Sequence, residues 1–294
     1  MAAAVVLRCC FTELAVVALV LEALTPIFEG LKKLLSRLHE GARRLLLQGL
    51  AVLVETRDPA MLYHVASSIG VYGEYYDEPS PAWPGFFKEY GGSEIELPRP
   101  LQASGVDVLK AIASRRSRRE YGGPLTLQEI STILYYSVGI TGWETGWPLR
   151  AYPSAGALQP LEAYVAISQV EGLEPGLYHY NPRRHTLVLL RRGNIMNDLQ
   201  RACLEQEFVS KAPAAIIYTA LYARTASKYG TRGYRYIHLD AGTAIENTYL
   251  VAEALGLATV VIGAFYDDML CKLLDIDCRW ELPVAVMPIG KRVG

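Results

Sequence analysis

Apolar positions fall into three regimes along this 294-residue chain. Up to about residue 70 they recur at helical spacing. Ile27, Leu31, Leu34, Leu38, Leu45 and Leu46 follow Pro26, with Lys32, Lys33, Arg37, Arg43 and Arg44 between them. Asp58 before Pro59 marks a further helix start, because a first turn leaves its N–H groups unpaired anyway. Leu14 to Leu21 is wholly apolar but bracketed by Glu13 and Glu22. A membrane-spanning helix needs about 20 predominantly apolar residues, so this run predicts a buried or interfacial helix. A helical N-terminal extension over residues 1–70 follows, as a cap on the rest of the chain or as a docking or oligomer contact.

Residues 71–100 break the pattern. Pro79, Pro81, Pro84, Pro98 and Pro100 forbid a long helix, yet Tyr72, Tyr75, Tyr76, Trp83, Phe86, Phe87 and Tyr90 are too many aromatics for a solvated linker. An irregular segment is expected, packed along the following domain and lining its ligand site. Residues 101–294 mix both periods. Ser104 and Asp107 can begin a helix through Ile112, and Thr126-Leu127-Gln128-Glu129 is a capping box with Gly139 as its C-terminal stop. Strands are expected at Leu161–Ile167, Ala214–Thr219, Val260–Ile262 and Val284–Ile289. Gly176–Tyr180 and Thr186–Leu190 flank the turn Asn181-Pro182-Arg183-Arg184 as a hairpin. Ile237, Ala241, Ala244, Ile245, Thr248, Val251, Ala252 and Leu255 form one face of a long helix ending at Gly256. Hairpins among helices predict an α+β fold with a mostly antiparallel sheet flanked by helices.

Composition narrows the class. At 51% hydrophobic and 20% charged the chain can build a packed core, and its net charge of -1 gives no reason to expect nucleic acid or an anionic membrane as partner. The five cysteines, Cys9, Cys10, Cys203, Cys271 and Cys278, include no C-x-x-C pair and no accompanying histidine cluster. No metal site and no disulfide framework is expected, and a reducing, cytoplasmic compartment fits.

Against that neutral background Arg115-Arg116-Ser117-Arg118-Arg119 is a local concentration of guanidinium forks, suited to a small phosphate-bearing ligand. Pro153-Ser154-Ala155-Gly156-Ala157 is a small-residue turn before a strand, where backbone can approach a flat ring closely. A phosphate clamp beside a planar-ring site points to a nucleotide-like cofactor, and FMN fits best. No G-x-G-x-x-G follows a strand, so a dinucleotide fingerprint is not indicated.

An ordered series carries a resemblance. It comprises Arg115-Arg116-Ser117-x-Arg119-x-Tyr121, Pro124-Leu125-Thr126, Pro153-Ser154-Ala155-Gly156-Ala157-Leu158 and Gly172-Leu173-x-Pro175-Gly176-Leu177-Tyr178. It continues with Asp240-Ala241-Gly242, Glu246-Asn247, Ala254-Leu255-Gly256-Leu257 and Gly263-Ala264-Phe265. The series resembles the nitroreductase-like flavin oxidoreductases, and within them the SagB-type dehydrogenases that include azoline oxidases of peptide natural-product pathways. The resemblance implies a nitroreductase-like FMN domain over residues 101–294. It also implies a homodimer with FMN at the interface and hydride transfer at flavin N5 with a small-molecule or peptide substrate.

The same resemblance implies cofactor contacts from Arg115, Arg116, Ser117 and Arg119, from the turn Pro153, Ser154, Ala155 and Gly156, from Asn247, and from Gly263 and Ala264 after a strand. Lys291 and Arg292 stand where similar proteins place a late basic residue near the phosphate. Read without it, the arginines make a basic helix end, Lys291-Arg292 a basic tail, and Asn247 a backbone cap. Many nitroreductases have asparagine at the position of Ala157, and the SagB-type branch often has tyrosine at that of Gln159. Lys228-Tyr229 matches the azoline oxidases' Lys-Tyr pair, in which a tyrosine beside a cation takes the substrate proton; it also reads as part of an exposed polar loop. Two other functions stay open: an NAD(P)H-dependent nitro- or quinone-reductase, and a non-catalytic binding or assembly protein on a flavin fold.

Overall fold

The computed structural model describes residues 81–293 apart from Ser104, together with Lys33, Ser36, Ala60, Tyr63, His64 and Ser67. The helices expected over residues 1–70 lie outside the described residues, those positions apart, as do residues 71–80. The chain divides into two compact units, Met1–Asp77 and Glu78–Gly294, and the elements named below all belong to the second.

Strand β1 (Glu94–Glu96) comes first, followed by a separate hairpin of β2 (Ile140–Glu144) and β3 (Trp147–Arg150). Then come β4 (Leu161–Ile167), β5 (Gly176–Asn181), β6 (Thr186–Arg192), β7 (Ala214–Leu221), β8 (Leu257–Thr259) and β9 (Glu281–Lys291). These and β1 form one sheet in the order β1-β6-β5-β4-β7-β9-β8, with every neighbouring pair antiparallel. The helices are α1 (Val108–Ser114), α2 (Leu127–Val138), α3 (Met196–Ala202), α4 (Tyr222–Tyr229), α5 (Gly233–Ala254) and α6 (Asp267–Leu274). The architecture is the expected α+β class.

The central strands are buried on both faces, so their two-residue alternation feeds two cores rather than one core and solvent. Leu161, Ala163, Val165 and Ile167 of β4 pack with Ile130, Ile133 and Leu134 of α2 and Ile237, Ala241 and Ala244 of α5. Tyr164 and Ala166 point the other way, into Leu199 of α3 and Leu270 and Leu274 of α6. Each fully buried Leu, Ile or Val contributes roughly 1.5–3 kcal/mol. The capping box forms: Thr126 Oγ1 accepts from Glu129 N at 3.2 Å, and Glu129 Oε2 accepts from Thr126 N at 2.8 Å.

Three expectations change. The strand after α5 lies at Leu257–Thr259, earlier than Val260–Ile262, because Gly256 at φ +68° reverses the chain at once and brings Leu257 opposite Lys291. Only Ile262 of the expected segment pairs, as a single bridge to Val286. Lys228-Tyr229 ends a helix and does not belong to a loop. Cys271 and Cys278 form a disulfide, because Asp275 takes the left-handed conformation after α6 and turns the chain back, leaving the two Cα atoms 5.7 Å apart. Among the described residues no helix is long and apolar enough to cross a membrane, and no group of three or more His, Cys, Asp or Glu is placed to hold a metal ion.

Candidate active site

Helix α5 organises the sequence-predicted residues. Its largely apolar core face carries polar interruptions, and these hold the loops. Asp240 Oδ2 accepts from Ser154 Oγ at 2.6 Å and Asp240 Oδ1 from Ala155 N at 3.2 Å. Seven residues on, Asn247 Nδ2 donates to Ala151 O at 3.1 Å. Burial raises the Asp240 carboxyl, and the bonds from Ser154 and Ala155 oppose that rise. A second stripe holds the basic run. Glu246 Oε1 lies 3.7 Å from Arg115 Nε, and the Arg115 guanidinium stacks 4.9 Å from the Tyr249 ring centre. The Tyr249 hydroxyl shares a 3.0 Å hydrogen bond with Ser117 Oγ and accepts from Val261 N at 2.7 Å. Glu253 Oε2 accepts from Arg118 Nη1 at 2.8 Å and Arg292 Nη2 at 2.6 Å.

The C-terminus thus returns beside the basic run. Gly122 N donates to Lys291 O at 2.8 Å, and Tyr121 bridges Arg292. Lys291 itself pairs with Glu129. Arg116 is exposed and donates to Ala113 O and Arg115 O, and Arg119 lies 5.6 Å over the Phe208 ring. Neither has a carboxylate partner among the described residues, whereas Arg115, Arg118, Lys291 and Arg292 do. Gly263 and Ala264 are exposed just beyond the Ile262 bridge, with Ala264 O accepting from Gln206 Nε2 at 3.4 Å.

The turn has an unusual backbone. Gly156, Ala157 and Gln159 all have positive φ, at +61°, +55° and +53°. Such conformations in non-glycine residues persist only where surrounding contacts impose them. A Cβ on Gly156 would stand 2.6 Å from the Tyr229 hydroxyl and 3.0 Å from Lys228 Nζ. The structure therefore brings the turn and the Lys-Tyr pair together, although Lys228 lies 72 positions after Gly156 in the sequence. Tyr229 is half-buried, its ring edge-on to Tyr236 with centres 4.9 Å apart.

Beneath the turn lies a buried polar assembly that sequence reading missed. Gln159 is buried: its Oε1 accepts from Arg150 Nε at 2.9 Å, its Nε2 donates to Pro148 O, and its N donates to Ser154 Oγ at 2.9 Å. Its side-chain amide is thus taken up by bonds within the protein. Arg224, 1% exposed, donates through Nη1 to Gln159 O at 3.1 Å and through Nε to Gly85 O at 2.8 Å. Its Nη1 also lies 2.7 Å from Glu162 Oε1, an ion pair off the hydrogen-bond angle, and Glu162 Oε2 bonds His179 Nε2 at 2.8 Å. Burial pushes the Glu162 carboxyl up, but Arg224, with His179 and Arg150, outweighs it and brings it to about 2. The signal in sequence was the presence of charged residues inside apolar strand and helix patterns, Glu162 after Leu161 and Arg224 after Ala223.

Residues 112–291 match the Nitroreductase family. The protein MJ1384 of Methanocaldococcus jannaschii, named for the nitroreductases, is 43% identical over 201 residues, 68% of this chain and 97% of that one. The microcin B17-processing protein McbC of Escherichia coli is 30% identical over 147 residues, 48% of this chain and 54% of its own. A nitroreductase-type crystal structure from Anabaena variabilis superposes with a TM-score of 0.61 at 27% identity, covering 76% of this chain and 47% of that one. The chain thus spans nearly all of the archaeal relative and about half of the other two.

Proposed function

The chain belongs to the nitroreductase family of oxidoreductases, and on that premise we propose that it is an FMN-dependent dehydrogenase of the SagB-type, azoline-oxidising branch. Its substrate is a small heterocycle or a peptide-derived one, a reading supported by similarity to McbC, named for processing a peptide microcin. The observation that carries it is the placement of Lys228 and Tyr229 against the positive-φ glycine of the turn.

The residues fit the phosphate end of the cofactor: Arg116 and Arg119, free of carboxylates among the described residues, suit a phosphate dianion. Bound FMN supplies hydride transfer at its N5 atom. The chain's own residues do the rest. Arg115, Arg116, Ser117 and Arg119, with Lys291 and Arg292, hold the phosphate end. Pro153, Ser154, Ala155 and Gly156, with Asn247, Gly263 and Ala264, bound the ring. Tyr229, as a phenolate with the Lys228 ammonium as countercharge, takes the substrate proton and becomes the phenol, while the substrate's hydride would go to the cofactor.

A homodimer completes the site. At about 100° per residue, Asp240 and Asn247 face one side of α5, while Glu246, Tyr249 and Glu253 face roughly the other. Turn and basic run therefore lie on different sides of the helix, which supports a site shared between two copies. The FMN domain in this reading is residues 101–294; the Cys271–Cys278 disulfide removes the cysteine argument for a reducing compartment.

Tyr229→Phe tests the assignment: retained flavin with turnover reduced by about 10²-fold or more is expected, and unchanged turnover discards the proton role. A second reading, an NAD(P)H-dependent nitro- or quinone-reductase, is favoured by the near full-length similarity to MJ1384. Rapid bleaching of bound flavin by NADPH, with none by an azoline peptide, selects it.

A further inference from the structure

We propose that Arg224 is a positioning residue that fixes the helix carrying Lys228 and Tyr229 against the Ser154–Gln159 turn. The inference rests on the reading above in assigning proton transfer to Tyr229. Arg224 sits one helical turn before Lys228 and is buried. Its guanidinium reaches three groups on two chain segments: Gln159 O at the end of the turn and Glu162 just beyond it on β4, and Gly85 O in the aromatic segment. The other end of the turn is held by Asp240 through Ser154 and Ala155, and Gln159 N closes back on Ser154 Oγ. Between these two anchors lie Gly156 and Ala157 in left-handed backbone, a geometry their own sequence does not impose.

Arg224 is thus the link by which a shift of α4 becomes a shift of the phenol relative to Gly156. A planar fork can serve three directions at once, whereas a lysine ammonium keeps the charge for Glu162 without the fork. A displacement of order 1 Å at a reacting group costs up to about 100-fold in rate.

The test uses full-length, FMN-loaded protein carrying Arg224→Gln or Arg224→Lys, with two readouts. Steady-state kinetics with an azoline peptide should show kcat of Arg224→Gln falling about 10- to 100-fold, KM nearly unchanged, and partial recovery in Arg224→Lys. Amide hydrogen exchange, which requires no turnover, should quicken together in residues 154–159 and 225–230 and stay slow in the strands Leu161–Ile167 and Ala214–Leu221. Should Arg224→Gln fail to fold because Glu162 is left uncompensated, Arg224→Gln with Glu162→Gln removes both charges and carries the same expectations. Unchanged exchange in both segments, or unchanged kcat, overturns the proposal. Quickened exchange and reduced kcat, alongside a Tyr229→Phe variant of full activity, would uphold positioning by Arg224 and discard Tyr229 as the proton acceptor.

Discussion

Gly156→Ala puts the geometry of the site under the most local strain. The new Cβ would stand 2.6 Å from the Tyr229 hydroxyl and 3.0 Å from Lys228 Nζ. Ordinary carbon–oxygen contacts begin near 3.3 Å, so the phenol must retreat by about 0.7 Å. The backbone adds its own cost: at φ +61° a Cβ destabilises by roughly 1–2 kcal/mol. For a folded unit of this size that lowers Tm by about 2–8 °C, a modest loss. Catalysis should suffer more, because displacing the proton acceptor by that distance costs up to about 100-fold in kcat. The assay pairs thermal unfolding with azoline-peptide turnover normalised to bound flavin. A variant with the expected fall in Tm and wild-type turnover per flavin refutes the reasoning, since the phenol would then have no required position.

Arg119→Ala should weaken FMN binding by about 10- to 100-fold, the equivalent of one charge-assisted contact, as measured by fluorescence of released flavin on dilution; unchanged affinity removes Arg119 from the clamp. Ala157→Asn should raise Tm slightly, because asparagine tolerates the left-handed φ of +55° better than alanine; a lower Tm counts against strain at that position. Glu162, held at about 2 against an ordinary value of 4.5, contributes stability that is present above 4.5 and lost as pH falls toward 2, roughly 3 kcal/mol in all. Denaturant unfolding across that window should show the loss in wild type and a flatter profile in Glu162→Gln, and equal slopes contradict the pairing.

Periodicity made the long helix, the capping box, the 176–192 hairpin and the central strands legible, because each depends on local spacing. It misplaced the strand after α5, where a single positive-φ glycine decides the register. The short helices α3, α4 and α6 were not foreseen, since eight residues or fewer give too little periodicity to separate from a loop. The motifs named candidate residues but not their neighbours. Tyr249, Glu253 and Asp240 hold Ser117, Arg118 and Ser154, and the distance in sequence between each pair hides the contact. Only the tertiary structure shows that Gly156 meets Tyr229.

The most direct measurement is the absorption spectrum of the purified, FMN-reconstituted protein titrated anaerobically with an azoline peptide. Stoichiometric bleaching of the flavin with matching formation of the azole is expected, lost in Tyr229→Phe. A protein that takes up no FMN, or a flavin that the azoline peptide leaves fully oxidised, would contradict the proposed function.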